Sequence, residues 1–305
     1  MRAAFEKLDL FVSVDLYRNV TAEIADYILP GTDWLERPDI NLTPAGGMQL
    51  KPHVMYTDAM VQPMYERRDG WWILARIMQE MGLNSPLDSN PDAEDAGFLF
   101  DSALAARGLS VDALRASPFN TVMLAENPVD SLFEQCLQHP DHLVDCCPPA
   151  FRQQGLVRRC SEIFDEMLGE PAGTLKLISL RTKYMHNSTL VNIARYRRGR
   201  NSDNPLHMCE EDARMRGLFD GDRVRIWNEN GAIESHVCID NDLRSGVVAM
   251  SHGYGTGRAK TMRTAARKEG ANCNVLMPSG AGTFEALSYM SWLSGVPVEV
   301  AGITD

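Results

Sequence analysis

The histidines and cysteines are the side chains best suited to catalysis or metal binding, and they are scattered along the chain. The seven histidines form no HxxxH or HExxH spacing, so the sequence predicts no zinc site on a helix. The seven cysteines form no CxxC pair, whereas zinc and iron–sulfur sites need closely spaced ligands. The GxSxG and Walker-loop motifs are also absent. These side chains therefore predict no catalytic residue and no metal ligand.

The odd number of cysteines bears on the cellular compartment. A secreted disulfide framework would have an even number of cysteines at regular spacing in a shorter chain. Reduced thiols that pack as small apolar residues fit this sequence better. We therefore expect a reducing compartment and a cytoplasmic location.

Positive charge is concentrated in two segments. Residues 181–200 hold six basic residues and no acidic residue, and residues 258–268 hold five and none. The whole chain has 30 Lys+Arg against 41 Asp+Glu, so the rest of it, with 19 basic residues, carries a net charge of −22. The two segments could form a site for phosphates, or they could pair with the acidic surface. Net acidity argues against nucleic acid as a partner. Residues 253–257 (GYGTG) lack dinucleotide-binding spacing and predict a turn rather than a phosphate cradle.

Length and composition predict a globular protein of about two domains. The 305 residues are 44% hydrophobic and 23% charged, close to the average for such proteins. No apolar run reaches the roughly 18–20 residues that a membrane span needs. The first fifteen residues mix acids with apolar residues and lack a cleavage site, so we expect neither a signal peptide nor a membrane segment.

The amino-terminal part predicts an α/β arrangement. Residues 8–15 predict a buried strand, residues 21–26 a short helix and residues 27–29 a brief strand. Residues 31–70 are rich in proline and glycine and predict loops. Residues 71–81 have apolar side chains at helical spacing and end before a glycine, so their Met and Trp stripe predicts core packing. A strand–helix–strand that begins so early resembles the end of an α/β domain whose other strands are absent.

The remainder changes from helical to β character. Residues 97–170 predict helices, the last of them at 156–168. Beyond Pro171 the pattern predicts a helix at 210–216 and short strands at 175–180, 224–227, 233–239 and 247–250. Asn230-Gly231 between alternating runs is a strong hairpin signal. Many short strands with one small helix predict a compact β-barrel.

Several segments, taken in order, resemble the molybdopterin oxidoreductases of the DMSO-reductase and formate-dehydrogenase type. In the first third they are VSVDLY at 12–17, TAE at 21–23, ADYILP at 25–30, WLE at 34–36 and DGWWIL at 69–74. In the last third they are LRTKYMHNS at 180–188, DA at 212–213, DGDRV at 220–224 and NCNVL at 272–276. Each motif alone is weak, but the ordered set is specific.

The resemblance implies a fold class and a cofactor. The expected fold is an α/β remnant followed by a six-stranded double-psi β-barrel of the aspartate-decarboxylase type. Its domains would be residues 1–82 as the end of the α/β domain, 83–171 as a helical connecting segment and 172–305 as the barrel. The barrel would bind molybdopterin guanine dinucleotide, two copies of which hold molybdenum in a complete enzyme.

The resemblance also implies contact residues. Asp15 and Asp69 match acids that hydrogen-bond the guanosine portion, and a carboxylate suits N–H and ribose donors. Arg37 matches a basic cofactor contact. The first barrel loop contributes Arg181, Thr182, Tyr184, His186 and Ser188, and the late loop contributes Asn272 and Asn274.

The chain also departs from the family pattern. Relatives are longer at the amino-terminal side, where the iron–sulfur cysteines and the molybdenum ligand lie, and no cysteine precedes Cys136 here. We therefore expect a cofactor-binding portion that is inactive alone and pairs with an amino-terminal catalytic half or an upstream gene product. An exposed apolar patch on residues 1–82 would indicate such a severed domain. The alternative is a non-catalytic barrel that binds an anionic nucleotide or a protein partner.

Overall fold

The computed structural model describes residues 2–41, 51–124, 137, 139–256, 259, 261–268, 270–284 and 289–303. The chain forms two compact units, Met1–Asp145 and Cys146–Asp305, here called the amino-terminal unit and the barrel unit. The predicted domain boundaries after residues 82 and 171 stay predictions. Within the described ranges, no helix is long and apolar enough to cross a membrane.

The amino-terminal unit begins with a small parallel sheet. Helix α1 (Arg2–Phe5) precedes strands β1 (Val12–Asp15) and β2 (Tyr27–Pro30), which pair in parallel. The helix predicted between the two strands is a single 3-10 turn at Ala22–Ile24. Helix α2 (Gly70–Glu80) confirms the prediction for that segment.

A second, antiparallel sheet corrects the prediction that residues 31–70 are loops. It contains β3 (Asp39–Ile40), β4 (His53–Thr57) and β5 (Thr121–Met123), and the last of these lies in a region predicted as helical. Helices α3 (Gly97–Ala105) and α4 (Val111–Arg115) pack on this sheet through a small apolar core. Strands of two to five residues are too short for an alternation of apolar and polar residues to be recognised. Even β4, the longest, has only two buried side chains.

The barrel unit begins with two helices, α5 (Pro149–Gln153) and α6 (Leu156–Leu168), and continues as a closed sheet. The strands are β6 (Leu175–Ser179), β7 (Leu206–Met208), β8 (Arg223–Asn228), β9 (Gly231–Ile239), β10 (Val247–Met250) and β11 (Val296–Gly302). Helix α7 (Glu210–Met215) follows β7. The strand order around the barrel is β10-β6-β11-β8-β9-β7.

The barrel core is formed by inward-facing side chains, which alternate with outward-facing side chains along a strand. In β8, Val224 and Ile226 are fully buried while their neighbours Arg223 and Arg225 are exposed. The predicted β8–β9 hairpin is confirmed, with residues 229–230 as the turn. Strand β6 pairs in parallel with β10, and β7 with β9, so both pairs need crossover connections, as the expected double-psi connectivity does. The expected fold class, an α/β start followed by a closed six-stranded barrel, is confirmed.

Candidate functional site

Two loops of the barrel unit start side by side at one edge of the barrel. Residues 180–188 follow β6 and residues 251–256 follow β10, and these strands are parallel with Ser179 in register with Met250. The Leu180 N–H continues the ladder by donating to the Met250 carbonyl at 3.0 Å. Because parallel strands end at the same edge of a sheet, the first predicted cofactor loop emerges beside the glycine-rich segment.

Two glycines let the glycine-rich segment pack between the first loop and the late loop. A Cβ on Gly253 would lie 2.1 Å from the Asn187 carbonyl oxygen, in the first loop. A Cβ on Gly255 would lie 2.3 Å from the backbone nitrogen of Asn272, in the late loop. Both glycines have positive φ, at 91° and 76°. The two glycines therefore allow the backbones of these loops to approach closely. This favours a turn over a phosphate cradle for the segment.

A buried asparagine that sequence reasoning missed holds the same loops together. Asn204, only 2% exposed, donates from Nδ2 to the carbonyls of Ser251 (2.6 Å) and Ala271 (2.9 Å). Its Oδ1 accepts from the Ala271 N–H at 2.8 Å. One side chain thus fixes the glycine-rich segment against the late loop, without any local sequence signal.

A chain of hydrogen bonds runs across the first loop. Arg181 Nη1 donates to Asn187 Oδ1 (2.8 Å), which also lies 2.7 Å from His252 Nε2. Because arginine only donates, the Asn187 atom it faces is the carbonyl oxygen, so His252 Nε2 must carry the proton. Nδ1 of His252 then accepts from the Ser179 hydroxyl at 3.0 Å. Burial, and then the Arg181 charge, lower the pKa of His252, which favours the neutral imidazole.

The residues predicted in the first loop surround this chain. Arg181, Tyr184, His186 and Ser188 are exposed, and Tyr184 stacks on Tyr196 with ring centroids 5.9 Å apart. Thr182 lies at the base of the loop, where it forms a β-bridge with Met185. The exposed side chains leave donors at the barrel edge for a ligand.

The late loop is brought to the same place. Asn272 and Asn274 are both exposed, and Asn272 Oδ1 accepts from the Asn274 N–H at 3.1 Å. That bond fixes the Asn272 side chain but leaves its NH₂ group free to donate. The structure therefore brings the predicted residues of both barrel loops together, while their contacts with a cofactor stay predictions.

The two basic segments are joined, and one of their arginines has a structural role. Asn192 Oδ1 accepts from the N–H groups of Thr264 (2.9 Å) and Ala265 (3.3 Å), which links the segments. Arg197 is 1% exposed and donates to the backbone carbonyls of Val191 and Ser202. The remaining described basic side chains are exposed: Arg181, Lys183, Arg195, Arg198, Arg200, Arg263, Arg267 and Lys268. Arg258 and Lys260 lie outside the described residues.

The amino-terminal unit holds the other predicted contacts. Asp15 ends β1, and its carboxylate accepts from the Tyr17 N–H (3.0 Å) and from Asn19 Nδ2 (2.7 Å). Asp69 precedes α2 without forming a side-chain cap, and it lies 3.5 Å from Arg37 Nη1. The structure thus joins Arg37 and Asp69 as an ion pair, which the sequence did not predict.

That ion pair lines a cavity of about 730 Å³ in the amino-terminal unit. Trp72, with Arg68 and Arg76 over its ring, lines the cavity too. Buried Glu36 supports the wall by accepting from the Asp33 N–H (2.9 Å) and from Arg67 Nη1 (2.6 Å). Sequence reasoning missed these residues because their roles come from contacts up to 31 residues apart.

The donor set of the barrel edge fits a molybdopterin dinucleotide. Exposed guanidinium and ammonium groups suit phosphates, and amides and hydroxyls suit the mixed donors and acceptors of a pterin. The Thr256 hydroxyl adds a buried polar atom that has no hydrogen-bond partner among the described residues. In the described part of the chain, no three His, Cys, Asp or Glu side chains are grouped to hold a metal ion.

Comparison with known families matches both units. Residues 1–80 match the molybdopterin oxidoreductase family, and residues 175–286 match the molydopterin dinucleotide binding domain. The second match contains the first loop, the glycine-rich segment and the late loop. It identifies the cofactor of this domain as a molybdopterin dinucleotide, the guanine form in the DMSO-reductase group.

Curated relatives are longer than this chain. The putative catalytic subunit of a dimethyl sulfoxide reductase from Halobacterium salinarum is 25% identical over 82% of this chain and 30% of its own length. The thiosulfate reductase molybdopterin-containing subunit of Salmonella typhimurium is 23% identical over 98% of this chain and 40% of its own. The chain thus spans less than half the length of these relatives.

A solved structure shares the fold. Acetylene hydratase from Pelobacter acetylenicus superposes with a TM-score of 0.67 at 19% identity, covering 97% of this chain and 40% of that one. At that identity the likeness supports the fold alone. With both family matches in their expected order, the chain belongs to the molybdopterin oxidoreductase family and contains its dinucleotide-binding domain.

Proposed function

We propose that this chain is the cofactor-binding portion of a molybdenum oxidoreductase and that its barrel loops hold a molybdopterin guanine dinucleotide. The observation that carries the proposal is the meeting of three loops at one barrel edge, held by Gly253, Gly255 and Asn204. A non-catalytic barrel would explain the basic segments equally well, but it would not explain the family match of residues 1–80.

Within this proposal the barrel residues have distinct roles. Arg181 would bind phosphate, since a guanidinium forms strong bonds to its oxygens. Asn187 and His252 would hold Arg181 in place, and Asn272 and Asn274 would donate to the pterin. In the amino-terminal unit, Asp15 and Asp69 would contact a guanosine portion and Arg37 would be a basic cofactor contact, roles that their sequence context supports.

We further propose that another polypeptide segment, an amino-terminal half or an upstream gene product, completes the protein. Parallel sheets are normally covered on both faces, and a two-stranded one is not stable alone. Here β1 and β2 expose Val14, Tyr27 and Ile28, α2 exposes Leu74, and Met81 is exposed just after that helix. These exposed apolar side chains support the proposal, since a severed domain is expected to leave an apolar surface on residues 1–82. A cytoplasmic location is part of the same proposal, supported by the odd number of cysteines, which does not suit a secreted disulfide framework.

The bound cofactor would supply oxygen-atom or coupled proton–electron transfer at molybdenum. This chain would bind and orient it, and would keep His252 neutral beside Arg181. The substrate would be selected by residues of the completing segment.

The test is co-purification. The chain would be produced in molybdenum-replete cells with the polypeptide encoded directly upstream, and molybdenum and acid-released guanosine monophosphate would be quantified. We expect both in stoichiometric amounts in the complex. A well-folded, metal-free and nucleotide-free product would overturn the proposal in favour of the non-catalytic barrel.

Substitutions then test individual contacts. We expect Asp15→Ala and Arg181→Ala each to weaken cofactor retention by about 1–3 kcal/mol, as loss of a charged hydrogen bond does. Asp112→Ala in the amino-terminal unit is the matched control, since that side chain is 94% exposed and lies outside the cavity. Unchanged cofactor content in both site variants would contradict the assignment of these residues.

A further inference from the structure

Helix α6 (Leu156–Leu168) has an apolar face that no part of the chain described by the structure buries. Its apolar side chains recur at helical spacing: Leu156, Val157, Cys160, Ile163, Phe164, Met167 and Leu168. None of the thirteen residues is buried, and Phe164 and Leu168 are 61% and 70% exposed. A helix of this length is marginal in water unless its apolar stripe packs against something.

The charged side chains of α6 also form ion pairs along the surface of the helix. Arg159 Nη1 pairs with Glu166 (2.8 Å) and Glu162 (3.4 Å), and Arg158 also pairs with Glu162 (3.4 Å). With two arginines against three acids, the helix has no cationic face that would favour an anionic membrane. The apolar stripe is therefore the unsatisfied feature.

Helix α6 also lies outside both family matches, which end at residue 80 and resume at residue 175. A surface in this region is not accounted for by the dinucleotide-binding domain. The sequence pattern of α6 itself therefore indicates what it binds.

The pattern of α6 is complementary to itself in the antiparallel direction. The stripe of residues 156, 160, 163 and 167 alternates in steps of four and three, which is coiled-coil spacing. When two such helices run antiparallel, Leu156 lies opposite Met167 of the second copy, and Cys160 opposite Ile163. On one flank, Arg159 then faces Glu166 of the second copy, and the twofold axis repeats that contact. On the other flank, Val157 faces Phe164.

We propose that this face binds a second copy of the chain through antiparallel pairing of the two α6 helices. A helix of thirteen residues is only about 20 Å long, so the contact is smaller than a standard interface of about 1,600 Å². The expected assembly is a dimer with a micromolar dissociation constant.

Charge exchange tests the pairing and its direction. In Arg159→Glu, and likewise in Glu166→Arg, both flanking contacts of a homodimer join like charges, so self-association should weaken at least fivefold. A mixture of the two variants restores opposite charges at both contacts and should form a heterodimer about as tight as the unaltered dimer. Sedimentation equilibrium of the full chain measures all three. Arg158→Glu is the matched control on the outward face, and it should leave the dimer unchanged.

Cross-linking gives an independent readout. Residues 156 and 167 are about 16 Å apart along one helix, too far for a disulfide within a chain. The double variant Leu156→Cys/Met167→Cys should form an intermolecular disulfide between positions 156 and 167, identified by mass spectrometry. Disulfides that join position 156 of one chain to position 156 of the other would show parallel pairing and overturn the proposal. A chain that stays monomeric up to about 500 µM would overturn it as well.

Discussion

The two units hold their predicted cofactor contacts by different means. In the barrel unit, the three loops are fixed by backbone: two glycines allow close approach, and buried Asn204 bonds to the backbone of two of the segments. In the amino-terminal unit, Arg37 and Asp69 meet through a side-chain ion pair on the wall of an open cavity. Backbone packing thus positions the barrel loops, whereas Arg37 and Asp69 are positioned by each other's charge.

The contrast extends to the titratable groups. Burial is the largest influence on the pKa of both His252 and Glu36. For His252, burial and the Arg181 charge both lower the pKa. For Glu36, burial raises the pKa, but bonds from Asp33, Met64 and Arg67 outweigh it and lower the pKa. Hydrogen-bond partners therefore govern the charge of Glu36, and burial governs the charge of His252.

The largest effect is expected where backbone packing fixes the barrel loops. Gly253→Ala would place a methyl group 2.1 Å from the Asn187 carbonyl at a positive φ, and we expect it to destabilise the barrel unit by about 4 kcal/mol. Gly246→Ala is the control, because its φ is 84° but nothing lies within 4 Å of the new Cβ. It should cost only about 1–2 kcal/mol. Equal losses in urea unfolding would show that the close approach contributes nothing.

The buried asparagine comes next. Asn204→Ala would remove the bonds to both backbone groups of Ala271 and leave the Ser251 carbonyl with only the weak Cys273 thiol contact, so we expect a loss of about 3 kcal/mol. Asn230→Ala removes a more exposed amide with one long contact of 3.5 Å and should cost less than about 0.5 kcal/mol. Chemical denaturation measures the free energy of unfolding of both variants. A loss below 1 kcal/mol for Asn204→Ala would show that this buried side chain does not hold the barrel loops.

In the amino-terminal unit the effect should be smaller and should depend on pH. Glu36→Gln removes the charge that accepts from Arg67, and we expect a loss of about 2 kcal/mol at pH 7. Because the folded pKa of Glu36 is lowered, this contribution is present above the unfolded pKa of about 4.5 and is lost as pH falls through the folded value.

The measurement is the free energy of unfolding of both proteins between pH 7 and pH 3. The difference between them should shrink below about pH 4.5. Glu6→Gln, which removes an exposed ion pair with Arg2, should cost less than about 0.5 kcal/mol at every pH. A difference for Glu36→Gln that is independent of pH would mean that charge is not what holds this wall.

The sequence predicted four of the six barrel strands, β6, β8, β9 and β10, and missed β7 and β11. The β8–β9 hairpin was the clearest signal. Strand β9 spans nine residues and β8 six, and the hairpin between them has a recognisable turn. Strands β3 and β5 have two and three residues, too few for a periodicity, so they were missed.

The sequence predicted only the site residues that lie within recognisable motifs. Arg181 and Asn272 lie in recognisable loops, but Asn187 and His252 are 65 residues apart and meet only in the fold. Asn204 acts on residues 47 and 67 positions away. Long-range hydrogen bonds leave no local pattern, so the residues that hold the loops were not predicted even though the loops were.

The smallest expected effect concerns the charge of His252. Nuclear magnetic resonance titration should give a midpoint below the usual value of about 6.5, because burial and Arg181 both disfavour the charged ring. Arg181→Gln should raise the midpoint but leave it below 6.5, since burial, the larger cause, remains. Arg223→Gln, an exposed cation of the same unit, should leave it unchanged. Since the unfolded chain binds the proton more readily, His252 should also make the barrel unit less stable as pH falls below about 6.5. A midpoint at or above 6.5 in the unaltered protein would mean that burial does not govern charge at the barrel edge, and the contrast with Glu36 would fail.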